Sequence, residues 1–345
     1  MNCLSFIPTV KYLIEGGFPY IPERSIIMNN STRPVNPQAF PTMITPYKKD
    51  GTIDYDTARR YVRWYFEQGC HGIFAICQSS EIFYLTPDEI VELNRVVWEE
   101  AKTLEREGGR PFTIVSSGHV ADSLEEQAST LTRVWESGSD ALVWITNRLD
   151  PDNEGDDVWI QNAEKLLSML PADAKLGLYE CPYPYKRLLT PRILDWCLKT
   201  GRFRFIKDTC CDAAVIKSRL KQLKGSELKL YNANCQTLLE TLRDGADGYS
   251  GIMCNYHPKL YVWLCEHFKD EPEKAELLQA FLCMSGCTEN ALPYPLSAKY
   301  HMNLVGIPTE NISRVKAPEL LTDYVRSCMQ QMKQLSDHFE AELKK

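Results

Sequence analysis

The run Phe203-Arg204-Phe205-Ile206-Lys207-Asp208-Thr209 ends an apolar stretch on a lysine. An ammonium carried by a strand end into a low-dielectric pocket is penalised in its charged form, so its pKa falls. The neutral amine can attack a carbonyl carbon and form a Schiff base. A surface lysine, or one paired with Asp208, fits the same string, and position alone leaves these readings open. A second run, Leu178-Tyr179-Glu180-Cys181-Pro182, closes on a tyrosine whose hydroxyl could exchange protons with a bound carbonyl compound. Taken alone, it is equally a buried Tyr with a satisfied hydroxyl. A third string, Cys77-Gln78-Ser79-Ser80-Glu81, offers hydroxyls and backbone N–H groups at a helix start, which suits a carboxylate or an ordinary capping loop.

Other reactive residue types are less informative. His71, His119, His257, His267, His301 and His338 are scattered, with no HxH or HExxH, so no metal site is expected. There are 13 cysteines, and none form a CxxC pair. The closest are Cys210–Cys211 and Cys283–Cys287. Without ribbon or thioredoxin spacing, they read as small buried hydrophobes in a reducing compartment.

The elements that must position these residues alternate from Phe40 onward. Short apolar runs of strand length are followed by amphipathic stretches of helix length. The runs predict strands at Phe40–Thr45, Gly72–Cys77, Phe112–Ser116, Ala141–Ile145, Lys175–Tyr179, Phe203–Lys207, Leu228–Asn232 and Gly248–Ile252. Helices are predicted at Tyr55–Gln68, Asp88–Glu105, Leu124–Glu136, Val158–Leu170, Pro191–Lys199, Ala213–Leu223, Cys235–Arg243 and Pro258–Phe268. Thr86-Pro87-Asp88-Glu89 and Thr190-Pro191 supply N-caps with proline in the first turn. Eight strand–helix units with near-continuous apolar strands predict a parallel (β/α)8 TIM barrel with the chemistry at the strand C-termini. An open doubly wound sheet is the rival, but no Gly-rich phosphate fingerprint follows the first strand. After Phe268 the strands stop, and Glu271–Met284, Leu296–Leu304 and Pro318–Leu343 predict helices.

The domain expectation is therefore an arm over 1–38, a barrel over 39–268 and a helical C-terminal part over 269–345. The arm carries Pro19, Pro22, Pro34 and Pro37 and no clean period, and Met28 offers a second translation start. A formal charge of −7, with basic residues dispersed, argues against nucleic-acid binding. No uncharged apolar run is long enough for a membrane span, and a cytoplasmic protein is the default expectation.

Taken together, the strand ends resemble the dihydrodipicolinate synthase and N-acetylneuraminate lyase family. The resemblance runs from about Phe40 to Ile307. Pro41-Thr42-Met43-Ile44-Thr45-Pro46 with Asp50-Gly51-Thr52-Ile53-Asp54 is similar to its first strand and loop. Ile206-Lys207-Asp208-Thr209 is similar to its Schiff-base lysine motif, and Tyr179-Glu180-Cys181-Pro182 to its Tyr-Asn-x-Pro motif. Gly245-Ala246-Asp247-Gly248-Tyr249-Ser250-Gly251 resembles its glycine motif at the eighth strand.

The resemblance implies a lyase or aldolase that needs no cofactor and acts on pyruvate or a related small-molecule 2-oxo acid. It implies a homo-oligomer, either a dimer or a tetramer. Lys207 would be the nucleophile and Tyr179 the acid/base. Ser79 takes the place of the Thr that holds the pyruvate carboxylate. Gln78, Ser80, Ile252, Thr146 and Arg187 are further candidates for substrate contact. Three readings follow. The first is a Lys-dependent lyase, aldolase or sugar-acid dehydratase. The second is the true synthase, condensing pyruvate with aspartate semialdehyde. The third is a non-catalytic barrel that serves as a binding protein. Two departures weigh against the synthase. Thr146 stands where the synthase has a Tyr contributed across a subunit interface. Pro184 stands where it has an Arg for the aldehyde's carboxylate, with Lys186 and Arg187 close by.

Overall fold

The computed structural model describes residues 36–344. The arm and the alternative start at Met28 lie outside the described residues as far as 35. Eight strands form: β1 Gln38–Ala39, β2 Gly72–Phe74, β3 Thr113–Ser116, β4 Ala141–Ile145, β5 Leu176–Tyr179, β6 Phe203–Asp208, β7 Lys229–Asn232 and β8 Gly248–Tyr249. They pair in parallel in the order β1-β8-β7-β6-β5-β4-β3-β2. The residues after β1 close the ring, because Thr42 bridges Phe74 in parallel. Around it the Met43 N–H donates to the Phe74 carbonyl at 3.0 Å, and the Phe74 N–H to the Pro41 carbonyl at 2.9 Å. The expected first strand, Phe40–Thr45, is thus two short pairings rather than one ladder. Pro41 lacks an N–H and interrupts it.

A helix follows each strand, the last of the eight being Pro258–His267. Helix Pro87–Gly108 starts at a reciprocal cap, with Thr86 Oγ1 accepting from the Glu89 N–H and the Glu89 carboxylate accepting from the Thr86 N–H at 2.9 Å. Three helices come after the barrel: Pro272–Glu289, Leu296–Leu304 and Asp323–Glu342. The last begins later than the predicted Pro318, because Thr322 caps it by accepting from the Val325 N–H. Residues Pro318–Leu320 form only one tight turn.

Apolar residues divide into two sets. Phe40, Phe74, Val115, Val143, Tyr179, Phe205 and Tyr231 fill the barrel interior. The Phe205 and Tyr231 rings stack with centroids 4.8 Å apart. The larger set lies between strands and helices, where Trp144 meets Phe203 edge-on at 5.5 Å. Phe203 and Phe205 thus face opposite sides of one strand although two residues apart. The pairing of β5 with β6 shifts between Leu176 and Gly177, and the shift resets the alternation. As a result Phe205 and Lys207 share the inward face. Gly248 opens β8 at φ 139°, with Gln38 backbone atoms where a Cβ would sit, so only glycine fits. All twelve cysteines among the described residues are free.

Candidate active site

The register sets Tyr179, the last residue of β5, opposite Lys207 on β6. Both lie at the C-terminal end of the barrel and are nearly closed to solvent, Lys207 at 4% and Tyr179 at 3% exposure. Lys207 Nζ sits 4.2 Å from the centre of the Tyr179 ring and 5.7 Å from that of Phe74. Among the described residues no carboxylate pairs with it. Asp208, the partner the sequence left open, binds the Arg219 guanidinium and the Cys210 N–H instead. Burial therefore lowers the Lys207 pKa, and the Cys77 and Cys181 thiols beside it oppose this. That shift is toward the neutral amine, the form that can attack a carbonyl carbon.

Burial pushes the Tyr179 hydroxyl far above its ordinary range, so it stays protonated. It donates to Gln78 Oε1 at 3.1 Å, and Cys181 Sγ approaches the same oxygen at 3.6 Å. Gln78 lies in one tight turn, Gln78–Ser80, that ends on Glu81 in the left-handed region at φ 62°. Ser79 Oγ donates to Thr42 Oγ1 at 3.0 Å. Ser80 points into the wall, where its Oγ accepts from the Cys77 N–H at 3.1 Å and lies 2.7 Å from the Ala75 carbonyl. The three adjacent candidates therefore differ: Gln78 meets Tyr179, Ser79 meets Thr42, and Ser80 pins the turn. Glu81 anchors that turn to the C-terminal part by accepting from Lys299 Nζ at 2.6 Å, Ser313 Oγ at 2.9 Å and the Arg314 N–H.

Thr146 and Arg187 meet each other, and the structure gives both a bracing role. Thr146 Oγ1 donates to the Arg187 carbonyl at 2.6 Å. The Arg187 guanidinium reaches Asp150 at 3.0 Å and Asp156 at 2.7 Å, so two carboxylates match its charge. Lys186 is exposed and donates to the Thr209 carbonyl at 2.8 Å. Ile252 starts a tight turn after β8, half-buried, and its carbonyl accepts from Asn255 Nδ2 at 2.9 Å.

Two structural devices escaped the sequence reading. Glu180 and Asp208, each following one of the two central residues, converge on buried Arg219, whose Nη2 lies 2.7 Å from Glu180 Oε1. Glu180 also accepts the Thr209 and Leu189 N–H groups, at 2.9 and 2.8 Å. An acid directly after each central residue was the available signal. Asn147 Nδ2 lies near the carbonyls of Cys181, Tyr183 and Tyr185 and holds the loop after β5. Asn147 precedes Arg148 in a loop, and nothing local marked it.

The Dihydrodipicolinate synthetase family model matches residues 37–335. A 4-hydroxy-tetrahydrodipicolinate synthase of Coxiella burnetii is 24% identical over 224 residues, covering 65% of this chain and 72% of its own. One of Kosmotoga olearia is 22% identical over 294 residues, covering 84% and 95%. Among solved structures, Ruminococcus gnavus sialic acid aldolase superposes with a TM-score of 0.77 at 15% identity, over 89% of this chain and 99% of that one. The chloride-inhibited dihydrodipicolinate synthase of Acinetobacter baumannii, complexed with pyruvate, gives 0.73 at 19% identity, over 88% and 99%. A family match across nearly all of the described barrel and the helices behind it, together with a lysine and a tyrosine paired at its strand ends, means that the chain belongs to the dihydrodipicolinate synthetase family of lyases and aldolases.

Proposed function

We propose that the protein forms a Schiff base between Lys207 and the 2-carbonyl of pyruvate or a related 2-oxo acid, and then makes or breaks a carbon–carbon bond. The observation that carries this reading is the buried Lys207 amine, unpaired with any carboxylate among the described residues and set against Tyr179. Lys207 Nζ attacks the 2-carbonyl carbon. Tyr179 delivers a proton to the carbinolamine hydroxyl, which leaves as water and gives the protonated imine. The Tyr179 phenolate takes a proton from C3 as that C–H electron pair moves toward the protonated imine, and the resulting enamine adds to an aldehyde; when a carbon–carbon bond at C3 breaks instead, its electron pair gives the same enamine. Ser79 and the N–H groups of its turn take the carboxylate. Elimination of a hydroxyl from a sugar acid would use the same imine.

The synthase reaction itself is the second reading, favoured by the names of the curated relatives. Against it stand Pro184 and the engaged Arg187, which leave the acceptor's carboxylate without the expected guanidinium. Robust condensation of pyruvate with aspartate semialdehyde would establish it. A cytoplasmic homo-oligomer belongs to the same proposal. Lys207→Ala tests the scheme: turnover should vanish while the protein remains folded. Turnover retained in that variant would overturn it.

A further inference from the structure

The chain buries a second lysine, which the proposed chemistry does not use. Lys299, in helix Leu296–Leu304, is closed to solvent, and so is Glu81 at the end of the Ser79 turn. Lys299 Nζ donates to Glu81 Oε1 at 2.6 Å and to the Ile312 carbonyl at 2.5 Å, and lies 4.4 Å from the centre of the Tyr47 ring. Burial lowers its pKa to about 8 and the Glu81 charge opposes this, so the ammonium is charged at neutral pH. Ser313 Oγ and the Arg314 N–H, next along the chain from Ile312, donate to Glu81 Oε2. The Arg314 guanidinium fastens this segment to the barrel loops, at the Gly51 carbonyl (3.1 Å), the Tyr84 carbonyl (2.8 Å) and Glu89 (2.6 Å). Both Glu81 oxygens thus meet donors from the C-terminal part.

The consequence falls on the turn. A lysine–carboxylate pair taken out of water adds little net stability over an apolar pair of similar size. What it supplies is direction, because the carboxylate has to lie where its donors converge. The Glu81 backbone needs such a constraint. It stands in the left-handed region at φ 62° and ψ 32°, which a non-glycine residue holds when its surroundings enforce it. Ser80, just before it, is fixed in the same way, its carbonyl accepting from Thr45 Oγ1 at 2.7 Å. Ser79 belongs to the same turn of three residues, so a rotation at Glu81 carries the Ser79 hydroxyl with it.

We propose that Lys299 and Glu81 are positioning residues of the active site, their buried ion pair fixing the Gln78–Ser80 turn so that Ser79 meets the carboxylate of the bound 2-oxo acid. The C-terminal helical part thereby sets the affinity for that acid from within the same chain. This rests on the Schiff-base reading above.

Borohydride trapping, titrated with pyruvate and with its methyl ester, tests it. The ester keeps the reacting carbonyl and lacks the anionic carboxylate. The double variant Lys299→Met with Glu81→Gln removes both charges together, so that no buried charge is left unpaired. It should unfold at much the same urea concentration as the unsubstituted protein. It should raise the half-saturating pyruvate concentration about tenfold, as for a weakened hydrogen bond to a charged group. Trapping with the ester should stay within about twofold. In a Ser79→Ala background the double substitution should add little, because the hydroxyl that it positions is gone. Ser313→Ala, which removes one donor to Glu81, should give a smaller rise, again for the acid alone, and serves if the double variant folds poorly. An unchanged pyruvate titration in these variants, or equal losses for acid and ester, would overturn the role of the pair while leaving the Schiff base intact. Absence of an adduct with any 2-oxo acid in the unsubstituted protein would instead overturn the Schiff-base reading, and this inference with it.

Discussion

Lys207 sits where it costs stability. Under the proposed Schiff-base chemistry, a buried amine with no carboxylate partner among the described residues is tolerated for reactivity rather than for folding. Lys207→Met keeps the side-chain length and removes the polar group. It should abolish turnover and raise the unfolding free energy, because an unpaired buried amine gives way to an apolar group. Denaturant unfolding of the two proteins checks this, and a destabilised variant would mean that the amine has a partner holding it. The sequence already made Lys207 and Tyr179 visible, because each ends an apolar strand. It did not reveal which of Gln78, Ser79 and Ser80 would face the site. Three consecutive residues in one tight turn point in three directions, and that depends on the backbone of the turn.

The strand ends are the next scale. The shift in pairing between β5 and β6 turns Phe205 and Lys207 inward, and the Arg219 bridge ties Glu180, just beyond β5, to Asp208, the last residue of β6. Burial raises the Glu180 pKa, the Asp208 charge adds to the rise, and Arg219 opposes it. Removing the guanidinium leaves two buried carboxyl groups facing each other. Arg219→Met should therefore cost about 3–5 kcal/mol, the penalty for breaking a buried pair from one side. Pairing it with Glu180→Gln should recover part of that loss. A loss below about 1 kcal/mol in urea unfolding would contradict the bridge's role. The strand–helix alternation was legible, with most boundaries within a few residues. The first strand was not, since Pro41 splits it between two neighbours, and neither was the bridge, because nothing in the sequence aims Arg219 at both acids.

For the whole molecule, buried histidines set the acid limit. Burial drops His119, His257 and His301 to about 3 each, well below their value in an unfolded chain. Between pH 6.5 and 3 the unfolded chain therefore binds more protons than the native one, and stability falls as pH falls. From pH 7 to 5.5 the three together remove about 4 kcal/mol. Glu289 acts the other way, since burial raises its carboxyl to about 7, above its unfolded value. Its contribution grows as pH falls through 7 and offsets about 1.5 kcal/mol over the same window. The net expectation is a loss of about 2 kcal/mol between pH 7 and 5.5, read by urea unfolding at each pH. His301→Gln should flatten the slope, and an unchanged slope would show that this ring is charged in the native protein. The sequence showed these histidines only as scattered; His119 is buried beside Gln127 and the end of β4, and burying His257 and His301 takes the packing of the last helices on the barrel.

The most direct test of the account is borohydride reduction after incubation with pyruvate, followed by digestion and mass spectrometry of the modified peptide. One pyruvate-derived adduct is expected, on Lys207 and absent from Lys207→Ala. An adduct with a longer 2-oxo sugar acid but not with pyruvate would keep the lysine and move the substrate. No adduct with any 2-oxo acid, or an adduct on another lysine, would contradict the claim that this barrel is built around Lys207 chemistry.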